Sequence, residues 1–507
     1  MIRYEEKHNA KSLDNIKVQV SDFSGGLDLI KGQNITKLNC AYDTFNFSFN
    51  KGVLTQGMGI KQFTTPTSMN SDENQIAVMK NNFEVDVKSI WLYRQWNTVQ
   101  NKRTDKIMFW GGDNKMWYFK VNDQYPLYVP FNTMTFTKKP NMFNFKLENL
   151  DCVLLSNDTD STWAWNGSSG AVNATNCPNI VDICVHKGKL YSIIGGEQNY
   201  IRYSTNTSVV DWTSTLGQDE GIIEINDGLG KINKLVSFMG YLYAIRDYGV
   251  IKITTYENKT DYALNNIFVS GNKIYSNSVQ VCGDELVMLT KDSLIKFDGT
   301  TAKKIDLKFE DMFANIDNKN CVACFHAGKY YLALKMNYGD SLIVGSEANN
   351  GYVNNTLLCY DLTTQKYELL RGVDITDMIS AQAYSLNKLM LCFNGANSKE
   401  IGEITNNGKD FSNNLYKYWK SPLTDLGFSN KLKHIKSVSI MSKYDCSLTV
   451  FTEKQSKTFN IKGSNVLSKF NVRLTGKQIG FKIESTQQNA FVSNLMLDVD
   501  LMELKNI

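Results

Sequence analysis

The sequence predicts an all-β protein: an irregular six- or seven-bladed β-propeller with an extended N-terminal segment before it and a β-sandwich after it. Short apolar runs that turn at a glycine and resume with Leu-Tyr recur along the chain, as in VDICVHKGKLYSII around Gly188 and LVSFMGYLYAI around Gly240. A repeat of about 40–50 residues with four short strands is typical of propeller blades. After about residue 412, strictly alternating apolar and polar positions are typical of sandwich strands with one buried face.

The N-terminal region, residues 1–74, is predicted to be an extended arm with a few strands. Gly25 and Gly26 make a bend, and Gly52 reverses a short alternating strand. Glycine reaches positive φ without steric cost, so it is the expected residue at such reversals. The segment is too extended to bury a core alone, and its part over residues 20–63 is expected to pack against the propeller.

The middle region, residues 75–410, is predicted to hold the blades. Its strands are apolar at consecutive positions, so both of their faces must be buried. Blades that each lie between two others provide that burial, whereas a half-exposed sheet would alternate strictly. The predicted hairpin turns are spaced by 52, 44, 44 and 59 residues and fall at Gly188, Gly240, Asp284, Gly328 and Asn387.

The C-terminal region, residues 411–507, is predicted to be a separate β-sandwich. In its last strand the apolar positions Leu495, Leu497, Val499 and Leu501 alternate with polar or flexible ones. Several such strands joined by polar turns indicate two sheets that each turn one face inward. The polar outer face and the free strand edges are then available to partners.

Charge, apolar runs and cysteine content argue against several classes of function. A formal net charge of +4 over 507 residues argues against a surface that holds nucleic acid or an anionic membrane by charge alone. The sequence has no run of about 18 apolar residues, so no membrane span is predicted. The first residues show no secretory signal. The ten cysteines are scattered through apolar strands, which indicates synthesis in a reducing compartment.

Groups that could carry chemistry are sparse. The four histidines are scattered, and His186 and His326 occupy the same place in their hairpins, which indicates a repeated structural role. Cys321 and Cys324 form a lone CxxC without the second pair that a zinc site needs. We therefore predict no metal, no cofactor and no catalytic residues.

One segment resembles a motif of glycosidase propellers. Residues 156–163, SNDTDSTW, are similar to the Asp-box of sialidase-type propellers, with Asp160 where a glycine is expected. In those enzymes the box is a blade turn away from the catalytic centre, so it favours the propeller and says little about hydrolysis. Glycoside hydrolysis needs two placed carboxylates, and the sequence alone nominates no pair.

Three stretches together resemble a known group, the β-propeller tail proteins of tailed bacteriophages, called nozzle, tail-hub or head-stabilisation proteins. The first is the opening FSGGLD with the strands that follow it. The second is the central blade that contains Asp211-Trp212. The third is the entry to the sandwich, Trp419-x-Ser421 followed by Asp425-Leu426-Gly427.

The resemblance implies a structural virion protein and no enzyme. It implies a homo-oligomeric ring in the tail, with six-fold symmetry favoured, that lines or closes the DNA exit channel. The ring would dock a portal-side adaptor and distal tail proteins, let genomic DNA pass without sequence-specific binding, and be made in the bacterial cytoplasm. The residues assigned to structure or assembly are Gly25, Gly26, Gly52, Gly188, Gly240, Asp211, Trp212, Trp419, Asp425 and Gly427.

The main alternative is a propeller that recognises glycans or proteins on a host surface, and a glycosidase is a third. Aromatic side chains could stack on sugars, although aromatic residues also fill the cores of blades. Which of the two roles they have is left open by the sequence. The tryptophans concerned are Trp96, Trp110, Trp117, Trp163 and Trp165.

Overall fold

The chain is built almost wholly from β-strands in the parts that the computed structural model describes. Two short 3₁₀ turns, Glu310–Met312 and Gly345–Ala348, are the only helical elements in those parts. No helix among the described residues is long and apolar enough to cross a membrane. The described residues are 14–30, 32, 36–62, 86–97, 101–120, 134–147, 150–167, 172–174, 176–205, 221–255, 262–339, 341–343, 345–383, 386–394, 399–410 and 413–503.

In the part of the chain that the structure describes, seven sheets follow one another as seven blades. This confirms the predicted propeller and matches the upper of the two predicted blade numbers. Blade 1 has three strands and carries a small hairpin, Trp96–Asn97 with Lys102–Arg103. The strands of blades 1–3 are Val87–Tyr93, Lys106–Gly111 and Met116–Lys120; Asn141–Leu147, Leu150–Ser156, Trp163–Trp165 and Val172–Asn173; Ile180–His186, Lys189–Ile194, Tyr200–Thr205 and Gly221–Glu224.

Blades 4–6 have four strands each, and the hydrogen bonds of blades 1–6 run from the first strand to the last in chain order. Each first strand is therefore one edge of its sheet. The strands of blades 4–6 are Ile232–Phe238, Tyr241–Arg246, Gly249–Thr255 and Tyr262–Val269; Ile274–Cys282, Glu285–Thr290, Leu294–Phe297 and Ala302–Ile305; Val322–His326, Lys329–Leu334, Thr356–Asp361 and Lys366–Arg371.

Blade 7 is closed by a strand from the other end of the chain. Its first three strands are Asp374–Ala383, Leu386–Asn394 and Lys399–Thr405, and Gly59–Gln62 adds to them as the fourth. Lys399–Thr405 pairs antiparallel with it, with Ile404 opposite the buried Ile60. Two short strands, Lys409–Asp410 and Asn413–Asn414, complete the sheet. Since blade 7 also contacts blade 1 through their first strands, this pairing ties the N-terminal segment to the point where the ring closes.

The first two strands of blades 3, 4 and 6 are joined by two-residue turns in which both residues have positive φ. The pairs are Lys187-Gly188, Met239-Gly240 and Ala327-Gly328. Such turns match the twist of antiparallel strands and favour glycine, which is why the repeated glycines mark the blades. The turn predicted at Asn387 is wrong, because Asn387 lies inside Leu386–Asn394, paired with Gln382.

Polar side chains bridge the first strands of neighbouring blades at all seven seams. An edge strand has backbone groups that lack a partner within the sheet. At six of the seams a side chain of the neighbouring blade supplies one, and between blades 6 and 7 the bridge joins the side chains of His326 and Ser380. Asp182, for example, accepts a hydrogen bond from the Leu235 amide at 2.6 Å. The other bridges start from Asn144, Asn141, Lys234, Gln280, His326 and Asp377.

Stability is expected to depend on pH through Asp182. Burial raises the pKa of its carboxyl to about 6 from 3.8, although Lys234 works in the opposite direction. A carboxyl with the higher pKa in the folded chain contributes stability below about pH 4 that is lost as the pH rises to about 6. Asp182→Asn should remove that dependence, on the order of 1–3 kcal/mol for a shift of this size. Urea unfolding at pH 4 and pH 7 measures it, and an identical pH slope in both proteins would contradict it.

The predicted sandwich is present, but N-terminal strands complete both of its sheets. One sheet contains Asp14–Val20, Phe47–Ser48, Leu54–Gln56, Phe491–Glu503, Lys431–Ser442 and Ser468–Gly476. The other contains Asp43–Phe45, Lys417–Lys420, Ile479–Ser485, Cys446–Thr452 and Ser456–Ile461.

The N-terminal segment thus packs into the sandwich as well as the propeller, which differs from the expected arm against the propeller alone. Ile16, Val18 and Val20 are fully buried and belong to the core that includes Leu497 and Val499. These three residues alternate with polar ones, and the mostly polar composition of the first twenty residues hides that strand pattern. The division of the chain at residues 74 and 410 stays a prediction, because strands from before residue 74 take part in both units.

Candidate functional site

The propeller and the sandwich meet at a buried arginine, Arg371, the last residue of the outer strand of blade 6. Its side chain is inaccessible to solvent and forms a two-point ion pair with Glu347, at 2.9 and 3.2 Å. The same guanidinium contacts Asp43 Oδ1 at 3.1 Å and the Thr44 carbonyl at 2.6 Å, both on a strand of the sandwich. Arg371 therefore links blade 6 to the sandwich directly.

Aromatic rings enclose this arginine on two sides. The guanidinium carbon lies 3.5 Å from the centre of the Tyr338 ring and 4.8 Å from that of Phe45. Tyr418 donates a hydrogen bond to Asp43 Oδ2 at 2.7 Å. Burial works against the charged form of Arg371, but Tyr338 and the carboxylate of Glu347 raise its pKa above the usual value. The cation is thus retained in a setting where loss of one partner would leave others unpaired.

The glycine-rich opening docks beside this cluster. Gly26 has φ 71°, and a side chain there would come within 2.8 Å of the Tyr367 hydroxyl of blade 6. That hydroxyl accepts a hydrogen bond from the Leu27 amide at 2.7 Å. At Gly25 a Cβ would lie 2.6 Å from the Asn39 carbonyl. Gly26 thus lets the backbone approach blade 6 closely, and Gly25 lets it approach the Asn39 carbonyl of the same N-terminal segment. A side chain at either position would displace its neighbour.

Trp419 lies on the sandwich side of the junction as a core residue. It is fully buried, with the Phe23 ring edge-on at 5.3 Å and the Phe481 ring stacked at 5.3 Å. The Gly52 carbonyl accepts a hydrogen bond from the Phe23 amide at 3.0 Å. The opening and the sandwich entry, which carry two of the three parts of the family resemblance, therefore pack against each other.

The remaining assigned residues lie elsewhere. Gly188 and Gly240 are in blade turns. Asp425 and Gly427 form a turn before Lys431–Ser442, in which Asp425 Oδ1 accepts the Gly427 amide at 2.8 Å. Asp211 and Trp212 lie outside the described residues. The sequence analysis did not single out Arg371, Glu347, Asp43 or Tyr367; an arginine that directly follows the apolar pair in YELLR was the one available signal.

Other candidate groups serve the fold where the structure describes them. Cys321 and Cys324 are both buried but belong to different core clusters, and burial raises the pKa of each thiol to about 12. No group of three or more His, Cys, Asp or Glu side chains that could hold a metal occurs among the described residues.

The two hairpin histidines have matching contacts. His186 Nδ1 and His326 Nδ1 each lie 2.9 Å from a serine hydroxyl on the first strand of the next blade, Ser237 and Ser380. In the Asp-box-like segment, Ser156 Oγ accepts the Ile180 amide at 2.8 Å and so fixes the start of blade 3. All three residues connect blades.

The comparisons with known proteins place the chain in no family. No protein-family model and no curated protein matches the chain. Among solved structures it is similar to BamB from Moraxella catarrhalis, at 10% identity and a TM-score of 0.34 over 59% of this chain and 78% of that one. It is also similar to Hsv2 from Kluyveromyces lactis, at 8% identity and a TM-score of 0.32 over 57% of this chain and 98% of that one. The class defined here is a seven-bladed β-propeller with an appended sandwich.

Proposed function

We propose that the protein is a structural component of a phage tail, where copies assemble into a ring, six-fold in the favoured arrangement, around the DNA exit channel. It acts by assembly, without catalysis, cofactor or metal. The observation that carries this proposal is the path of residues 14–62, which complete both sheets of the sandwich and then close blade 7. A chain tied together in this way resists separation of its parts, which suits a wall exposed to pressure and to passing DNA.

The sandwich edge is the surface that we propose for docking the portal-side adaptor or a distal tail protein. Residues 443–478 contain seven Lys or Arg and two Asp or Glu, a net charge of 7 − 2 = +5, against +4 for the whole chain. Ser456–Ile461 and Ser468–Gly476 are the edge strands there. Lysines on an edge strand discourage pairing with an identical edge, so an acidic neighbour fits this edge better than a second copy does.

Complementation of a phage that lacks the gene tests this role. Lys469, Arg473 and Lys477 are exposed along one edge strand, and changing all three to glutamate should leave the fold intact. Infectious particles should fall at least tenfold because the edge would then repel an acidic neighbour. The matched control reverses three exposed lysines of blade 5 and its following loop, Lys291, Lys303 and Lys319. Full complementation by the sandwich variant would exclude this edge as the docking surface.

The main alternative, a propeller that recognises a host surface, is supported by one observation. Trp110 and Trp165 are buried in the core between blades 1 and 2, whereas Trp96 is 48% exposed. The tryptophans thus do not share one role, and Trp96 is available to a ligand.

A further inference from the structure

A cleft around Trp96 lies on the propeller and is lined by residues of blades 1, 2 and 3. It has a volume of about 340 Å³ and is bordered by Arg94, Trp96, Arg103, Asn144, Asp151 and Val185. These residues come from the hairpin of blade 1, the first two strands of blade 2 and the first strand of blade 3. The volume is at the lower end of the range for small-ligand sites, roughly 300–1,000 Å³.

The hairpin that carries Trp96 is held firmly by two blades. The Trp96 amide donates to Asp151 Oδ2 at 2.6 Å, and the Gln95 amide donates to Asp105 Oδ1 at 3.1 Å. Gln95 Nε2 donates to the Asn166 carbonyl at 2.6 Å, which reaches blade 2. A single exposed aromatic residue is ordinary on a protein surface. The hydrogen bonds fix the backbone at Gln95 and Trp96, which lowers the ordering cost that a ligand contact with the indole must meet.

Charge is distributed unevenly around the indole. Arg103 lies directly opposite Trp96 in the hairpin and is 3.5 Å from Asp105. The exposed guanidinium of Arg94 has no ion-pair or hydrogen-bond partner within the described parts of the chain. A guanidinium favours a planar carboxylate or a phosphate. Asp151 accepts the Trp96 amide with one carboxylate oxygen and can offer the other to a hydroxyl group. Asn144 already bonds the Leu92 carbonyl and the Arg94 amide, which leaves one of its amide hydrogens for a ligand.

We propose that this cleft binds an anionic saccharide. A sugar ring would stack on Trp96, its hydroxyls would bond to Asp151 and Asn144, and its carboxylate or phosphate would pair with Arg94. A nucleic acid strand fits less well, because successive phosphates need several unpaired cations, and Arg103 is already paired with Asp105. The inference goes beyond the tail role and does not depend on it, since a saccharide site is equally possible on a protein that never enters a particle.

The test is titration of the full-length protein with 3′-sialyllactose, a galacturonate trisaccharide, glucose 6-phosphate and neutral lactose, followed by ligand-observed NMR. At least one anionic sugar should bind, and Trp96→Ala should weaken it at least tenfold. Arg94→Gln should weaken the anionic sugars without changing the response to lactose. The matched control, Tyr248→Ala, removes an aromatic side chain that is 42% exposed on blade 4 and should bind as the wild type does.

Several outcomes would overturn the inference. They are failure of all three anionic sugars to bind, binding that survives Trp96→Ala, and binding of a single-stranded oligonucleotide that depends on Trp96 while the sugars fail. The carboxylate and phosphate sugars distinguish the two sources of negative charge. Incorporation of the Trp96→Ala protein into particles is a separate readout. Failure of sugar binding therefore leaves the tail proposal unaffected, and absence from particles leaves the saccharide site unaffected.

Discussion

Replacing Arg371 with methionine should lower the free energy of unfolding by about 3–5 kcal/mol, the cost of removing one partner from a buried ion pair. Methionine has a similar reach but no charge, so Glu347 would lose its two-point cationic partner. Asp43 would lose the same cation and keep only the Tyr418 hydroxyl of the two donors described above. The side chain of Glu347 is 1% exposed and that of Asp43 is 12% exposed, so water cannot replace the arginine. Urea unfolding monitored by tryptophan fluorescence measures the loss.

Two further variants show whether the effect comes from unpaired charge. Adding Glu347→Gln and Asp43→Asn to Arg371→Met should recover part of the stability, because the stranded carboxylates are gone. Arg202→Met removes the more exposed pair with Glu197, whose side chain is 39% exposed, and should cost no more than about 1 kcal/mol. A loss of under about 1 kcal/mol for Arg371→Met as well would show that the junction does not depend on this ion pair.

Deleting residues 1–62 should prevent the chain from folding to a soluble monomer. The deletion removes the closing strand of blade 7 and the N-terminal strands of both sandwich sheets, which leaves several strand edges and the apolar partners of Ile16, Val18 and Phe23 exposed. Such edges and surfaces pair with other chains. The expected result is aggregate in the void volume of a sizing column.

Supplying residues 1–62 as a separate polypeptide during refolding should rescue soluble protein, since the contacts are non-covalent. The same polypeptide with Ile60→Lys should rescue less, because Ile60 is 1% exposed within blade 7. Soluble monomer without residues 1–62 would contradict the role assigned to the closing strand.

The propeller could be predicted because its signal is local. Two-residue turns with positive φ at Gly188, Gly240 and Gly328 recur at the spacing of a blade, and consecutive apolar residues follow from burial on both faces. The turn at Asn387 failed because the first strand of blade 7 extends to Ala383 and the residue sits beyond the reversal, inside the second strand.

The parts that the sequence did not predict depend on contacts between distant residues. Strand Asp14–Val20 pairs with residues nearly 500 positions later, and Gly59–Gln62 pairs with Lys399–Thr405. Nothing within such a short strand specifies which edge it will join, since pairing is set by the partner's exposed backbone and by burial of one face. Arg371 could not be predicted for the same reason, because its acidic and aromatic partners come from separate regions, Glu347 and Tyr338 from one and Asp43 and Phe45 from another.

The proposed tail role is tested most directly by a quantitative mass-spectrometric inventory of phage particles purified from cells that express the gene. If the role is right, the protein is present at a fixed ratio to the portal protein, in several copies per particle, and stays with the tail after the capsid is removed. Its absence from washed particles, with the full-length protein found only free in the lysate, would contradict the account.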